Sequence, residues 1–163
     1  AEPRTTRDFD VVVNLPGSHI RRLSEELTKR DMLVPPQVIL ELLLQPEGDL
    51  PVNAIHLYSG IKADIFLQRM GDDYRATALA RRRRVDLGPP IGETYVHAPE
   101  DLILNKVHYF SISGQEKHIR DIAAIQVYLE DQLDWPYFDF WLDQLGLRPV
   151  WDEVQAAVAT LLR

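Results

Sequence analysis

The chain's 163 residues fit one domain with a small helical appendage, and 45% hydrophobic with 26% charged residues is the balance of a soluble globular protein. A formal net charge of −7 argues against broad, sequence-independent nucleic-acid binding, and no apolar run approaches the ~18–20 residues that span a bilayer, so no membrane partner is expected. With no cysteine, a disulfide framework, a thiolate zinc site and cysteine catalysis are excluded, which fits a cytoplasmic setting.

Residues 9–13 (FDVVV) read as a buried strand, stopped by Asn14, Pro16 and Gly17. Ser18 is expected to cap a helix over about 19–30 that places Ile20, Leu23 and Leu27 on one face. A second helix starts near Pro36, carries Val38, Ile39, Leu42 and Leu43, and ends before Pro46 and Gly48. Residues 53–58 and 61–67 form a hairpin around Ser59 and Gly60, and a short strand near 93–97 follows the loop Gly88-Pro89-Pro90. From Ala98 the period becomes helical. Pro99, Glu100 and Asp101 suit a first turn, the acids complementing the helix dipole. That helix carries Ile103, Val107 and Phe110 and breaks at Ser113-Gly114; the next runs from about 115 to 130. Asp134 caps a third, bearing Phe138, Trp141, Leu142 and Leu145, and the last presents Trp151, Val154, Val158 and Leu161. The expected fold is α+β: a small mixed sheet with packed helices over 1–97, then a bundle of about four helices over 98–163.

Asp8 and Asp10 stand two apart at the mouth of the first strand, so the strand period points both side chains to one face, with α-carbons roughly 6–7 Å apart. Two hard oxygen ligands so placed can share a magnesium ion; acids at a strand end can equally be solvated or capping groups. Asp64 interrupts the apolar strand IKADIFL, where a carboxylate requires a partner. A metal shared with Asp8 and Asp10 would serve, and so would Lys62 or an arginine.

The opening RTTRDFDVVV, the hairpin ending IKADIF, and the later HAPEDLILNK and KHIRDI follow one another in an order that resembles minimal nucleotidyltransferases of the DNA polymerase beta superfamily, in particular those similar to abortive-infection toxins. The resemblance covers nearly the whole chain. It implies a nucleotidyltransferase-like core, with Asp8, Asp10 and Asp64 as catalytic metal ligands for Mg2+. It also implies transfer of a nucleoside monophosphate from a nucleoside triphosphate to a hydroxyl of a protein or RNA acceptor. The family carries a Gly-Gly or Gly-Ser pair upstream of its paired acids, whose backbone amides cradle the triphosphate. Only seven residues precede Asp8, so either that element lies further upstream or this member has lost nucleotide binding. In its absence the chain is expected to bind metal weakly and nucleotide poorly. A catalytically silent binding or regulatory module of the same fold, and the toxin half of a pair with an antitoxin protein, are the alternative readings.

Lys106 and Asp121 flank the break near residue 113 almost symmetrically, so they can meet across an antiparallel helical pair. They read as a structural ion pair, or as a lysine that contacts a substrate phosphate and an aspartate that orients it. Arg4 precedes the acids and could neutralise phosphate or pair with them. The run Arg81 to Arg84 reads as a solvated face, a docking site for an acidic partner, or a holder of phosphate or an RNA end. His108 and His118 lack zinc-ligand spacing and read as polar boundary residues, while the three tryptophans read as core.

Overall fold

A computed structural model describes residues 8–45 and 49–162, and for Asp8 and Glu130 the backbone alone. The chain forms two compact units, one ending at Leu79 and the other beginning at Ala80. The boundary expected at 97/98 marks where the helical period begins; the division by contacts falls earlier.

In the first unit, β1 (Asp8–Val13) pairs parallel with β3 (Lys62–Leu67), and β2 (Val52–Ile55) pairs antiparallel with the other edge of β3. The strand order is therefore β1-β3-β2. Strand alternation gives this sheet two chemically different faces. Val11, Val13, Val52, Ala54, Ala63, Ile65 and Leu67 pack with residues of α1 (Ile20–Thr28) and α2 (Pro36–Leu44) in one apolar cluster. Ile39 of α2 is fully buried there, and burial of such a side chain contributes about 1.5–3 kcal/mol. The opposite face carries Asp10, Asn53, Lys62, Asp64 and Phe66, by the same alternation and strand register.

Ser18 does not cap α1. It lies in a single 3-10 turn, Gly17–His19, where the His19 N–H donates to the Pro16 carbonyl at 2.8 Å, and α1 then starts from His19 without a side-chain cap. The tighter turn takes up a donor that a serine hydroxyl would otherwise serve. Pro36 does begin α2, and α2 ends at Leu44; Pro46 and Gly48, the expected stop, lie outside the described residues. Between β2 and β3 the turn is the expected one. Gly60 has φ +68°, its N–H donates to the His56 carbonyl at 3.0 Å, and the Ser59 hydroxyl meets His56 Nδ1 at 2.8 Å.

One helix and one strand have no counterpart in the sequence reading, α3 (Asp73–Arg81) and β4 (Arg83–Asp86), among the described residues. The Asp72 carboxylate accepts from the Arg75 N–H at 2.9 Å and so caps the start of α3. The Arg75 guanidinium also bridges Asp72 and Asp49 and lies 5.8 Å from the Phe66 ring centroid. β4 pairs antiparallel with β5 (Glu93–Val96).

In the second unit, α4 (Pro99–Ser113) contacts α5 (Glu116–Leu129), α6 (Trp135–Gln144) and α7 (Arg148–Leu161), and α7 also contacts α5 and α6. Ile103, Leu104, Val107, Ile122, Phe138, Leu142, Trp151, Val154 and Val158 are buried, whereas Leu161 and Leu145 of the expected stripes are exposed. Trp135 and Trp141 are half-buried, so Trp151 is the one tryptophan in the core proper. Among the described residues, no helix is long and apolar enough to cross a membrane.

Candidate functional site

The register of the three-stranded sheet decides which acids meet. Asp10 is the direct cross-strand partner of Asp64, and Asn53 of β2 stands opposite Asp64 on its other side. Neighbouring strands lie about 4.8 Å apart, so the two carboxylates are first neighbours on one face. Asp8 is the partner of Lys62 in the same register. The side chain of Asp8, and the whole of Arg4, lie outside the described residues.

Asp64 is the best-defined group of this face. Its side chain keeps 14% of its exposure, and its Oδ2 accepts the Lys62 ammonium at 2.7 Å. Its Oδ1 is buried and, among the described residues, has no hydrogen-bond partner. Of the partners that a carboxylate in an apolar strand could have had, Lys62 is therefore present, two residues back on the same face. A buried carboxylate oxygen without a donor carries a desolvation cost that an added cation would remove. The donor set of this face, carboxylate oxygens on adjacent strands, suits a hard cation such as magnesium. Among the described residues no group of three or more His, Asp or Glu side chains is placed to hold a metal ion, a set from which the Asp8 side chain is excluded.

Lys106 and Asp121 meet within the second unit. Gly114, with φ +61°, accepts the left-handed turn that reverses the chain after α4, and Lys106 Nζ reaches Asp121 Oδ2 at 2.7 Å. Their side chains are 22% and 26% exposed, so the pair is neither sealed nor fully hydrated. One turn along, the rings of Tyr109 and His118 stack with centroids 6.2 Å apart. His118 Nδ1 is buried without a hydrogen-bond partner among the described residues, and burial first, then the charges of Lys117 and Lys106, hold its pKa below the ordinary histidine value.

The arginine run is not one cationic patch, because each member lies against an acid or an aromatic ring. Arg81 Nη2 donates to the buried Glu100 at 3.2 Å, and its guanidinium lies 3.7 Å from the Tyr137 ring centroid. Arg82 stacks over Tyr95 at 4.6 Å, Arg83 comes within 4.0 Å of Glu100, and Arg84 pairs with Glu93. The acids that the sequence reading assigned to the helix dipole are instead buried ion-pair partners, Glu100 being 1% and Asp101 0% exposed. The Tyr137 hydroxyl donates to Asp101 Oδ1 at 2.6 Å, and burial followed by that hydrogen bond pushes its pKa well above the ordinary tyrosine value. Glu100 Oε1 accepts from the Asp134 N–H at 2.8 Å. No sequence signal separated these buried acids from ordinary first-turn acids, since both occupy the same helix positions.

Comparison of the chain with protein-family models, with curated proteins and with solved structures found no match. The functional reading therefore rests on the order of sequence motifs and on the polar face of the sheet.

Proposed function

We propose that this chain is a magnesium-dependent nucleotidyltransferase-like protein of the cytoplasm, moving a nucleoside monophosphate from a nucleoside triphosphate to a hydroxyl of a protein or RNA acceptor. The observation that carries the reading is the in-register pairing of Asp10 with Asp64 on the polar face of the sheet, with one Asp64 oxygen buried and without a hydrogen-bond partner among the described residues. Asp10 and Asp64, with Asp8 two residues before Asp10 on the same strand, would hold the metal through carboxylate oxygens. When bound, the metal supplies charge neutralisation at phosphate. Asp64, as a partly buried carboxylate, completes the site and helps activate the acceptor hydroxyl. Lys106 and Asp121, expected from the sequence at substrate phosphate, form an ion pair within the second unit.

The Lys62–Asp64 ion pair also suits a catalytically silent member, since it already partners Asp64 through one oxygen. One experiment separates the two. The chain is incubated with each α-labelled nucleoside triphosphate and magnesium, and label retained on protein or on added RNA is measured for the parent, Asp10→Asn and Asp64→Asn. Magnesium-dependent labelling that both substitutions abolish is the expected result. Labelling that survives both, or that needs no divalent ion, overturns the assignment. Magnesium-dependent nucleotide binding without labelling marks the silent module.

A further inference from the structure

Lys62 occupies a position that the proposed reaction does not explain. It sits on β3 two residues before Asp64 and so shares its face, and its Nζ lies 2.7 Å from Asp64 Oδ2. Asp8 is its cross-strand partner, and Asp10 is that of Asp64. The lysine thus stands among acidic positions in the same row where a divalent cation would be held. Its side chain is 37% exposed against 14% for Asp64, so the carboxylate is the fixed member and the ammonium the one with room to move. A lysine carries its point charge on a flexible four-carbon stem.

Resting on the metal reading above, we infer that Lys62 is a built-in counter-cation that occupies Asp64 when no metal is bound and competes directly with the divalent ion for it. The pair removes part of the cost of a partly buried carboxylate through Oδ2, the oxygen for which lysine and metal would compete. A divalent ion approaching this carboxylate meets the Lys62 ammonium already on it, and the two like charges repel. Metal affinity of the chain alone is set low by this contest. The anionic substrate, by adding negative charge at the site, tips it towards the metal. Lys62 is accordingly a positioning residue that ties metal loading to substrate.

The test uses Mn2+ alone as the probe, with free ion counted by electron paramagnetic resonance and folding checked by circular dichroism. Lys62→Met keeps the apolar stem and removes the charge, and it is expected to bind Mn2+ about tenfold more tightly than the parent, the scale of one displaced unit charge at partly screened distance. Lys62→Arg keeps the charge and should show no gain. The gain should vanish in Lys62→Met combined with Asp64→Asn. If the parent binds Mn2+ through Asp10 and Asp64 but Lys62→Met binds equally or less tightly, the counter-cation role is wrong and the metal site stands. A gain that persists in the double variant also overturns the role. If neither the parent nor Lys62→Met binds Mn2+, both the role and the metal reading fall.

Discussion

His118 and the Lys106–Asp121 pair test how much the environment between α4 and α5 constrains single side chains. His118 has a lowered pKa in the folded chain, from burial and then from Lys117 and Lys106, so the unfolded chain binds the proton more readily. Its contribution to stability is present above the unfolded value of about 6.5 and is lost as pH falls through the folded value. Urea unfolding followed between pH 8 and pH 5 should therefore show a fall in stability below about pH 6.5, and His118→Gln should flatten that part of the profile. An unchanged slope in the variant would assign the fall to other groups. Lys106 and Asp121 are each about a quarter exposed, so their pairing is screened only in part. A double-mutant cycle of Lys106→Met and Asp121→Asn, read by urea unfolding, should give a coupling of about 0.5–1 kcal/mol. Coupling near zero would leave the 2.7 Å contact without energetic meaning.

Single elements depend on a few backbone-directed groups. α4 ends because Gly114 adopts φ +61° and gives its N–H to the Phe110 carbonyl at 2.8 Å. Gly114→Ala should cost about 1 kcal/mol, measured as a lower urea midpoint with unchanged slope. α6 begins at Asp134, whose Oδ1 accepts from the Tyr137 N–H at 3.1 Å. Asp134→Ala should likewise cost about 1 kcal/mol. Both sites were legible in the sequence, since a Ser-Gly break and an aspartate before an aromatic run are local signals. Ser18 was not, because the choice between a capping hydroxyl and a 3-10 turn rests on the path that Pro16 imposes. α3 was missed for a related reason: nine residues, DYRATALAR, bury only Ala78 and so show little apolar period.

On the scale of the molecule, each unit has its own organising contact. In the first it is the apolar face of the sheet against α1 and α2. Ile39→Ala there should cost about 2–5 kcal/mol, seen as a lowered thermal midpoint. In the second it is the polar cluster of Arg81, Glu100, Asp101, Asp134 and Tyr137 at the start of α4. Arg81→Met leaves Glu100 buried with the Asp134 N–H and the more distant Arg83, and should destabilise by about 3–5 kcal/mol in thermal or urea unfolding. Adding Glu100→Gln should restore part of that loss, because it removes the stranded charge. If it does not, the arginine acts through its contact with the Tyr137 ring instead.

The sequence by itself determined the periodic elements. The β-branched run after Asp10, the hairpin at Ser59-Gly60 and the apolar stripes of α4 to α7 carry their own 2.0 or 3.6 period, and local sterics and burial suffice to choose them. It also placed Asp8 and Asp10 two residues apart at the start of one strand, as the backbone of β1 has them. Which residue stands opposite Asp10 was decided by the parallel register of β1 with β3, a pairing between segments about fifty residues apart along the chain. The tertiary structure likewise chose Lys62 among the partners open to Asp64, and turned Glu100 and Asp101 from dipole acids into buried ion-pair partners. Local period fixes the direction of a side chain relative to its own element; its neighbours depend on which other element arrives, and burial then sets the free energy of each charge.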